Sequence, residues 1–87
     1  MPSEVKRMRK RALPLGDKNI AGHRIEQIRM EKGLKQKYII ERMHIRGIPI
    51  SISTFSKIEG QVRLLCDYEL AAIAEILEVP VSALLTD

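Results

Sequence analysis

This sequence contains few side chains that could take part in catalysis or bind a metal ion, and they form no catalytic or metal-binding motif. The two histidines, His23 and His44, are about twenty residues apart and have no second ligand at metal-binding spacing. Cys66 is the only cysteine, so no intramolecular disulfide is possible, and such a thiol is most often buried or half-buried and unreactive. The chain also lacks a glycine-rich phosphate loop and a paired-carboxylate motif. We therefore expect no enzymatic activity, no cofactor and no metal site.

The basic residues are the remaining candidates, and they are unevenly distributed. Residues 1–19 carry six basic and two acidic side chains, and residues 20–60 carry eight and four, so each block has a net charge of +4. Residues 61–87 carry one basic and five acidic side chains, a net charge of −4. A polyanion would be attracted to the first two blocks and repelled by the third.

A dense basic run, KRMRKR, lies near the N-terminus, and its charged members are Lys6, Arg7, Arg9, Lys10 and Arg11. One interpretation is a solubilising tail, because charge runs are usually solvated. The other is an arm that follows DNA phosphates or enters the minor groove, with a sequence-independent, salt-sensitive contribution. Residues 1–18 lack hydrophobic periodicity and contain Pro2, Pro14 and Gly16. We interpret them as a flexible basic arm that precedes one domain in residues 19–87.

The composition favours a small helical domain. The 87 residues include one Phe, two Tyr and no Trp, so aliphatic side chains must form the core, which is more typical of a helical bundle than of a sheet sandwich. No apolar run approaches the roughly 18–20 residues that a membrane span requires. No apolar segment follows the N-terminal charges as it would in a secretory signal. We expect a soluble cytoplasmic protein without membrane contact.

Hydrophobic spacing predicts five short helices. Asn19 can cap the first, which ends at Gly33, and the second begins near Lys35 and ends before Gly47. Asp67 can cap the fourth, and a last short helix begins near Ser82. The core-facing residues predicted for the first, second and fourth helices are Ile20, Ile25, Ile28, Ile39, Ile40, Met43, Leu70, Ile73, Ala74 and Leu77, and the last helix contains Leu84 and Leu85.

Residues 48–60, IPISISTFSKIEG, could form either a strand or a helix. The isoleucines of the first half alternate with proline and serine as in a strand, whereas Phe55 and Ile58 have helical spacing. No second segment alternates over a comparable length, so a strand here would have no partner. We therefore predict that Ser51 caps a third helix over residues 52–59, with the preceding isoleucines packed beneath the turn.

Three segments resemble the phage-repressor and Cro-like helix-turn-helix proteins of the Xre (Cro/C1-type) family. They are HRIEQIRMEKGLKQ (23–36), ISISTFSKIEG (50–60) and DYELAAIAEILEVPVSALL (67–85), and the resemblance covers about residues 20–85. It implies an all-α, five-helix repressor-like domain whose third helix lies in the DNA major groove. The features that agree in order and spacing are Arg29 with Gly33-Leu34, Gln36, Ser51 with Ile58-Glu59-Gly60, and Ala74, Leu77 and Val79 with Val81 and Leu84-Leu85.

The resemblance also implies roles for individual residues. Arg29 and Glu59 correspond to a partly buried structural ion pair between the first and third helices. Gln36 corresponds to a residue that binds a phosphate, helped by backbone N–H groups and the helix dipole. The implied base-facing residues are Ile52, Ser53, Thr54, Ser56 and Lys57. The implied phosphate-facing residues are Lys35, Gln36, Lys37, Ser51 and Arg63.

Three features depart from the family pattern. The segment between Met43 and Thr54 is about five residues longer than the common form, which predicts an extended helix 2–helix 3 turn. Ile52 stands where a polar or basic residue is common, and it could contact a thymine methyl but cannot hydrogen-bond a base. Ile40 replaces a small residue of the second helix, so we expect looser or shifted packing between helices two and three.

Together these features predict a sequence-specific regulator of transcription, of repressor type, that binds double-stranded DNA. One recognition helix covers only a few base pairs, so we expect a homodimer at least on DNA, formed through Val62, Leu64, Leu65 and the last helix. The alternative is an antitoxin-like or partner-binding module on the same fold, with weak or nonspecific DNA binding. Joint exposure of Ile48 and Ile50 with Ile52 would favour it. A third interpretation is histone-like, nonspecific DNA binding through the basic arm.

Overall fold

The structure of the chain, a computed structural model, describes residues 14–86. This part of the chain consists of five helices and contains no strand, which confirms the predicted all-α fold. The basic residues predicted to form an arm, positions 6–11, lie outside the described residues. The helices are α1 (Gly22–Glu31), α2 (Gln36–Ile45), α3 (Ile52–Glu59), α4 (Asp67–Leu77) and α5 (Ser82–Leu85).

Aliphatic side chains from all five helices form one core, and Phe55 of α3 is its aromatic member. Helix α1 contacts α3, α4 and α5, while α2 contacts α3 and α4. The core therefore surrounds α3 on its inward side and fixes which of its faces remains exposed. The fully or largely buried hydrophobic residues are Ala21, Ile25, Ile28, Ile39, Ile40, Met43, Phe55, Ile58, Ala72, Ile73, Ala74, Ile76, Leu77 and Leu84.

Three local signals that end or begin helices act as predicted. Gly33 and Gly47 adopt φ values of +71° and +80°, a left-handed conformation that glycine adopts without steric cost and that commonly follows a helix. Ser51 caps α3, because its Oγ accepts a hydrogen bond from the Thr54 N–H at 3.0 Å. The segment at residues 48–60 is therefore a loop followed by a helix.

Two predictions about individual side chains are wrong. Ile20 does not face the core: it is 72% exposed, because α1 begins only at Gly22, where Asn19 Oδ1 accepts the Gly22 N–H at 2.7 Å. Cys66 is exposed rather than buried or half-buried, because it occupies the surface position that caps α4, one residue before the predicted cap at Asp67.

The packed body begins earlier in the chain than predicted. The N–H of Gly16 donates to Gly60 O at 2.9 Å, and the N–H of Lys18 donates to Gln61 O at 2.8 Å. A Cβ atom at Gly16 would overlap the Gln61 carbonyl oxygen and lie 2.7 Å from Val62 Cγ1, so the close approach requires glycine. We call residues 16–19 the N-terminal strap. It lies against the end of α3 and does not belong to a flexible arm ending at residue 18.

None of the helices between residues 14 and 86 is long and apolar enough to cross a membrane.

Candidate nucleic-acid interface

Helix α3 has one buried side and one exposed side, as the spacing of its apolar residues dictates. Phe55 and Ile58 point into the core. The exposed side, which we call the outer face of α3, carries Ile52, Ser53, Ser56 and Lys57. Their spacing of one, four and five residues places them on a single face of a helix. Small hydroxyl side chains and one lysine allow another surface to approach the helix axis closely.

Two predicted contact residues lie in the cap of α3 instead of on its outer face. Ser51 is exposed, but its hydroxyl also donates to Thr54 Oγ1 at 3.1 Å while it accepts the Thr54 N–H. Thr54 is half-buried. Both hydroxyl groups thus stabilise the beginning of the helix, and their predicted contacts with DNA stay predictions.

A buried polar cluster fixes the orientation of α3 relative to α1 and α2. Arg29 Nε lies 2.7 Å from Glu59 Oε2, and Arg29 Nη2 lies 3.1 Å from Glu59 Oε1. The two side chains are only 11% and 2% exposed. Arg29 Nη1 also donates to Leu34 O at 2.8 Å. A bidentate pair of this kind has a defined geometry, and it is the pair that the resemblance assigned to these positions.

Gln36 extends this cluster to the surface. Its Nε2 donates to Glu59 Oε1 at 2.9 Å, and its Oε1 accepts from Ser56 Oγ at 3.3 Å. A primary amide has two N–H donors, and within residues 14–86 one hydrogen bond from Gln36 Nε2 is observed, so the second donor can bind a phosphate. The contact with Ser56 joins the start of α2 to the outer face of α3 in one continuous surface. The resemblance gave Gln36 a phosphate role, and its role in orienting Ser56 was not foreseen.

The N-terminal end of α2 carries positive charge that favours the binding of an anion. Lys35 and Lys37 are exposed there, and Lys35 makes no side-chain cap hydrogen bond. The N–H groups in the first turn of a helix lack intrahelical acceptors, and the positive end of the helix dipole lies at the same place. An open cavity of about 480 Å³ adjoins this end, lined by Gly33, Leu34, Lys35, Lys37, Tyr38 and Glu41. This geometry suits a phosphate group.

Arg63, a predicted phosphate contact, is bound within the protein. Its guanidinium lies 3.1 and 3.3 Å from the two oxygens of Glu69 and donates to Leu64 O at 3.0 Å. Glu69 also accepts the Cys66 N–H at 2.9 Å. Burial raises the pKa of Glu69, but the Arg63 and Cys66 hydrogen bonds and the Arg63 charge together outweigh burial and hold that pKa below its usual value. The charge of Arg63 is thus already neutralised by a buried carboxylate.

The connection between α2 and α3 consists of residues 46–51 and is held in place by hydrogen bonds and an ion pair. The Ile48 N–H donates to Met43 O at 2.9 Å, and His44 Nε2 lies 3.1 Å from Ile50 O. Arg46 Nε lies 3.0 Å from Glu75 Oε1 of α4. Ile48 and Ile50 are half-buried and pack against the core.

The joint exposure of three isoleucines that would favour a protein-interaction module is therefore not observed, since Ile52 alone of the three is exposed.

No family model, curated protein or solved structure matches this chain. The site must be judged from its own geometry. Among residues 14–86, no group of three or more His, Cys, Asp or Glu side chains could hold a metal ion. What the structure brings together is an exposed helix face, an anion-suited helix start beside it, and a buried ion pair that fixes the two relative to each other.

Proposed function

We propose that this chain is a DNA-binding regulator of transcription, of repressor type, that places α3 in the major groove. The observation that carries the proposal is the outer face of α3, which is exposed and, apart from Ile52, polar, while the opposite side of the same helix is buried in the core. The major groove admits an α-helix, and base edges there are distinguished by hydrogen bonds and by the thymine methyl.

Individual side chains have distinct tasks in this proposal. Lys57 donates to a guanine edge or an adjacent phosphate, and Ser53 and Ser56 make short hydrogen bonds that depend on the helix lying deep in the groove. Ile52 contacts a thymine methyl. Gln36, with the N–H groups at the start of α2, binds one phosphate and so sets the depth of insertion.

The protein acts in this proposal as a cytoplasmic homodimer, at least when bound to DNA. Helix α3 has eight residues, so one copy contacts only a few base pairs, and two copies on a two-fold site double the length of sequence recognised. Binding to such an operator would exclude other proteins from it, which is how a small regulator without an enzymatic domain represses transcription.

The test is selection from a randomised duplex pool at near-physiological salt, with Ser53→Ala and Lys57→Ala run in parallel. We expect an enriched two-fold motif, and each variant should weaken the preference at its base position, where a mismatched base pair ordinarily costs about 1–3 kcal/mol. Ser82→Ala and Lys18→Ala are matched controls, because they remove the same groups from exposed positions outside α3, and they should retain the motif.

Two other outcomes would overturn the proposal. If the protein retains duplexes without enriching a motif, its DNA binding is nonspecific. If deletion of residues 1–13 then abolishes this nonspecific binding, the basic arm is responsible for it. No retention would favour the protein-interaction module, for which exposed Ile45 and Ile52 are the candidate contacts.

A further inference from the structure

A row of exposed apolar side chains follows α3. Residues 62–66 form a segment without helix or strand that bends at Arg63; the Arg63 side chain turns back to Glu69, and Leu65 packs against the core. The intervening side chains, together with Tyr68 in the first turn of α4, face solvent. We call Val62, Leu64, Cys66 and Tyr68 the α3–α4 apolar patch, and all four are exposed, Leu64 by 71%.

Hydrogen bonds prevent this segment from turning its apolar side chains inward. The Val62 N–H donates to Lys57 O at 3.0 Å, and Asn19 Nδ2 donates to Arg63 O at 2.9 Å. The Cys66 N–H is bound by Glu69 at 2.9 Å. The patch is thus a fixed surface whose exposure to water is unfavourable.

Cys66 and Tyr68 are neighbours within the patch. The pKa of Tyr68 lies above its ordinary value, chiefly because of the nearby Cys66 side chain. Cys66 is exposed and precedes the first turn of α4, which contains Tyr68, so a molecule that covered the patch would meet the thiol.

We propose that the α3–α4 apolar patch is where two copies of this chain meet about a two-fold axis. The proposal rests on the proposed function and names its partner surface. It differs from the interface expected from the sequence, because Leu65 and the buried Leu84 belong to the core, while Cys66 and Tyr68 join Val62 and Leu64.

The charges around the patch favour a second copy as its occupant. Arg63 and Glu69 cancel each other in a direct ion pair, which leaves Asp67 as the unpaired formal charge within residues 62–69. Two identical patches therefore repel each other weakly, in contrast to residues 20–60 with their net charge of +4.

The position and size of the patch fit dimerisation on DNA. It begins two residues after Gly60, at the C-terminal end of α3, so a second copy seated there leaves the outer face uncovered. Four side chains make a contact well below the roughly 800 Å² per partner of a stable interface. The dimer should therefore be weak in free solution and form on DNA that holds two copies side by side, where the effective concentration is high.

Cys66 provides a direct readout of the proposed geometry. In a two-fold contact a residue near the axis meets its own counterpart. Two cysteines form a disulfide only when their Cα atoms are within about 7 Å, and a short bismaleimide joins thiols that lie somewhat further apart. Because the chain has no other cysteine, any covalent dimer formed by a short bismaleimide reports on Cys66 alone.

The experiment compares the intact chain with Leu64→Gln and Ile45→Gln. Both substitutions replace an exposed aliphatic side chain without changing net charge, and Ile45, 79% exposed, lies outside the patch. Binding is measured to a duplex with two half-sites and to one with a single half-site, and crosslinking is measured with and without DNA. Each substitution occurs twice in a two-fold dimer, so Leu64→Gln should weaken two-site binding about 30- to 100-fold.

The expected result is that Leu64→Gln loses both the cooperative binding and the DNA-dependent Cys66 crosslink, while its binding to a single half-site and all properties of Ile45→Gln are unchanged. If Leu64→Gln binds two half-sites and crosslinks like the intact chain, the patch is not the interface, although the proposed function stands. If no duplex is bound selectively, the proposed function fails. Sedimentation at high protein concentration then tests the dimer interface independently of DNA binding. Self-association of the intact chain that Leu64→Gln abolishes supports the proposed interface, and absence of self-association overturns it.

Discussion

Replacement of Glu59 by alanine should destabilise the fold far more than its position near a helix end suggests. The change leaves Arg29, only 11% exposed, with the Leu34 carbonyl as its remaining observed acceptor, and it removes an acceptor of Gln36. Breaking a buried ion pair from one side costs about 3–5 kcal/mol. A domain of this length has roughly 4–13 kcal/mol of unfolding free energy in total. Glu59→Ala should therefore lose a large share of its unfolding free energy, and the urea midpoint should fall accordingly.

The assay is urea unfolding followed by circular dichroism, with Glu75→Ala as the matched control. Glu75 also pairs with an arginine, at 3.0 Å, but its side chain is 70% exposed, and exposed pairs contribute about 0–1 kcal/mol. The double variant Arg29→Met/Glu59→Leu should recover most of the lost stability, because it leaves no buried charge unpaired. Equal, small losses for Glu59→Ala and Glu75→Ala would refute the role assigned to burial.

Three further predictions concern stability. Ser51→Ala removes the cap of α3 and should cost about 1 kcal/mol, which Ser51→Asp should largely restore in thermal unfolding; equal losses for both would contradict the capping role. Because the pKa of Glu69 is lowered in the folded state from 4.5, its contribution to stability is present above that pH and is lost as the pH falls below it. The urea midpoint should fall more steeply in acid for the intact chain than for Glu69→Gln, and parallel curves would contradict this. Alanine at Gly22 would place a Cβ atom into the Ile58 carbonyl oxygen, so Gly22→Ala should lower stability by about 1–3 kcal/mol, although alanine normally favours a helix; an unchanged melting temperature would show that α1 can move away.

Features set by neighbouring residues were predictable from the sequence. Gly33 and Gly47 end their helices through their own backbone conformation, and Ser51 caps α3 through a hydrogen bond three residues away. Ile20 fitted the same helical spacing but precedes the first turn, because Asn19 binds the Gly22 N–H and fixes the start of α1 beyond it. A periodic pattern cannot show at which residue its first turn begins.

Contacts that depend on how a loop folds back were not predictable from local patterns. Arg63 turns to Glu69, and Arg46 turns to Glu75, only because the loops that carry them fold back on α4. Neither ion pair could be predicted from residue spacing along the chain. The position of Arg29 against Glu59 came from the family resemblance rather than from periodicity. The outer face of α3 could be anticipated because it is the complement of Phe55 and Ile58, which periodicity assigns to the core.

The N-terminal strap has a consequence for the order in which the domain folds. Gly16 and Lys18 donate to carbonyls beyond the end of α3, and Asn19 bonds across to Arg63. These acceptors are in place only after α3 has docked, so closing this long loop is a late event, and the few bonds that hold the strap are the first to open. Hydrogen exchange should therefore be fast at Gly16 and Lys18 and slow inside α3. The domain thus has a built-in early opening step, and that step uncovers the end of the very helix that we expect to contact DNA.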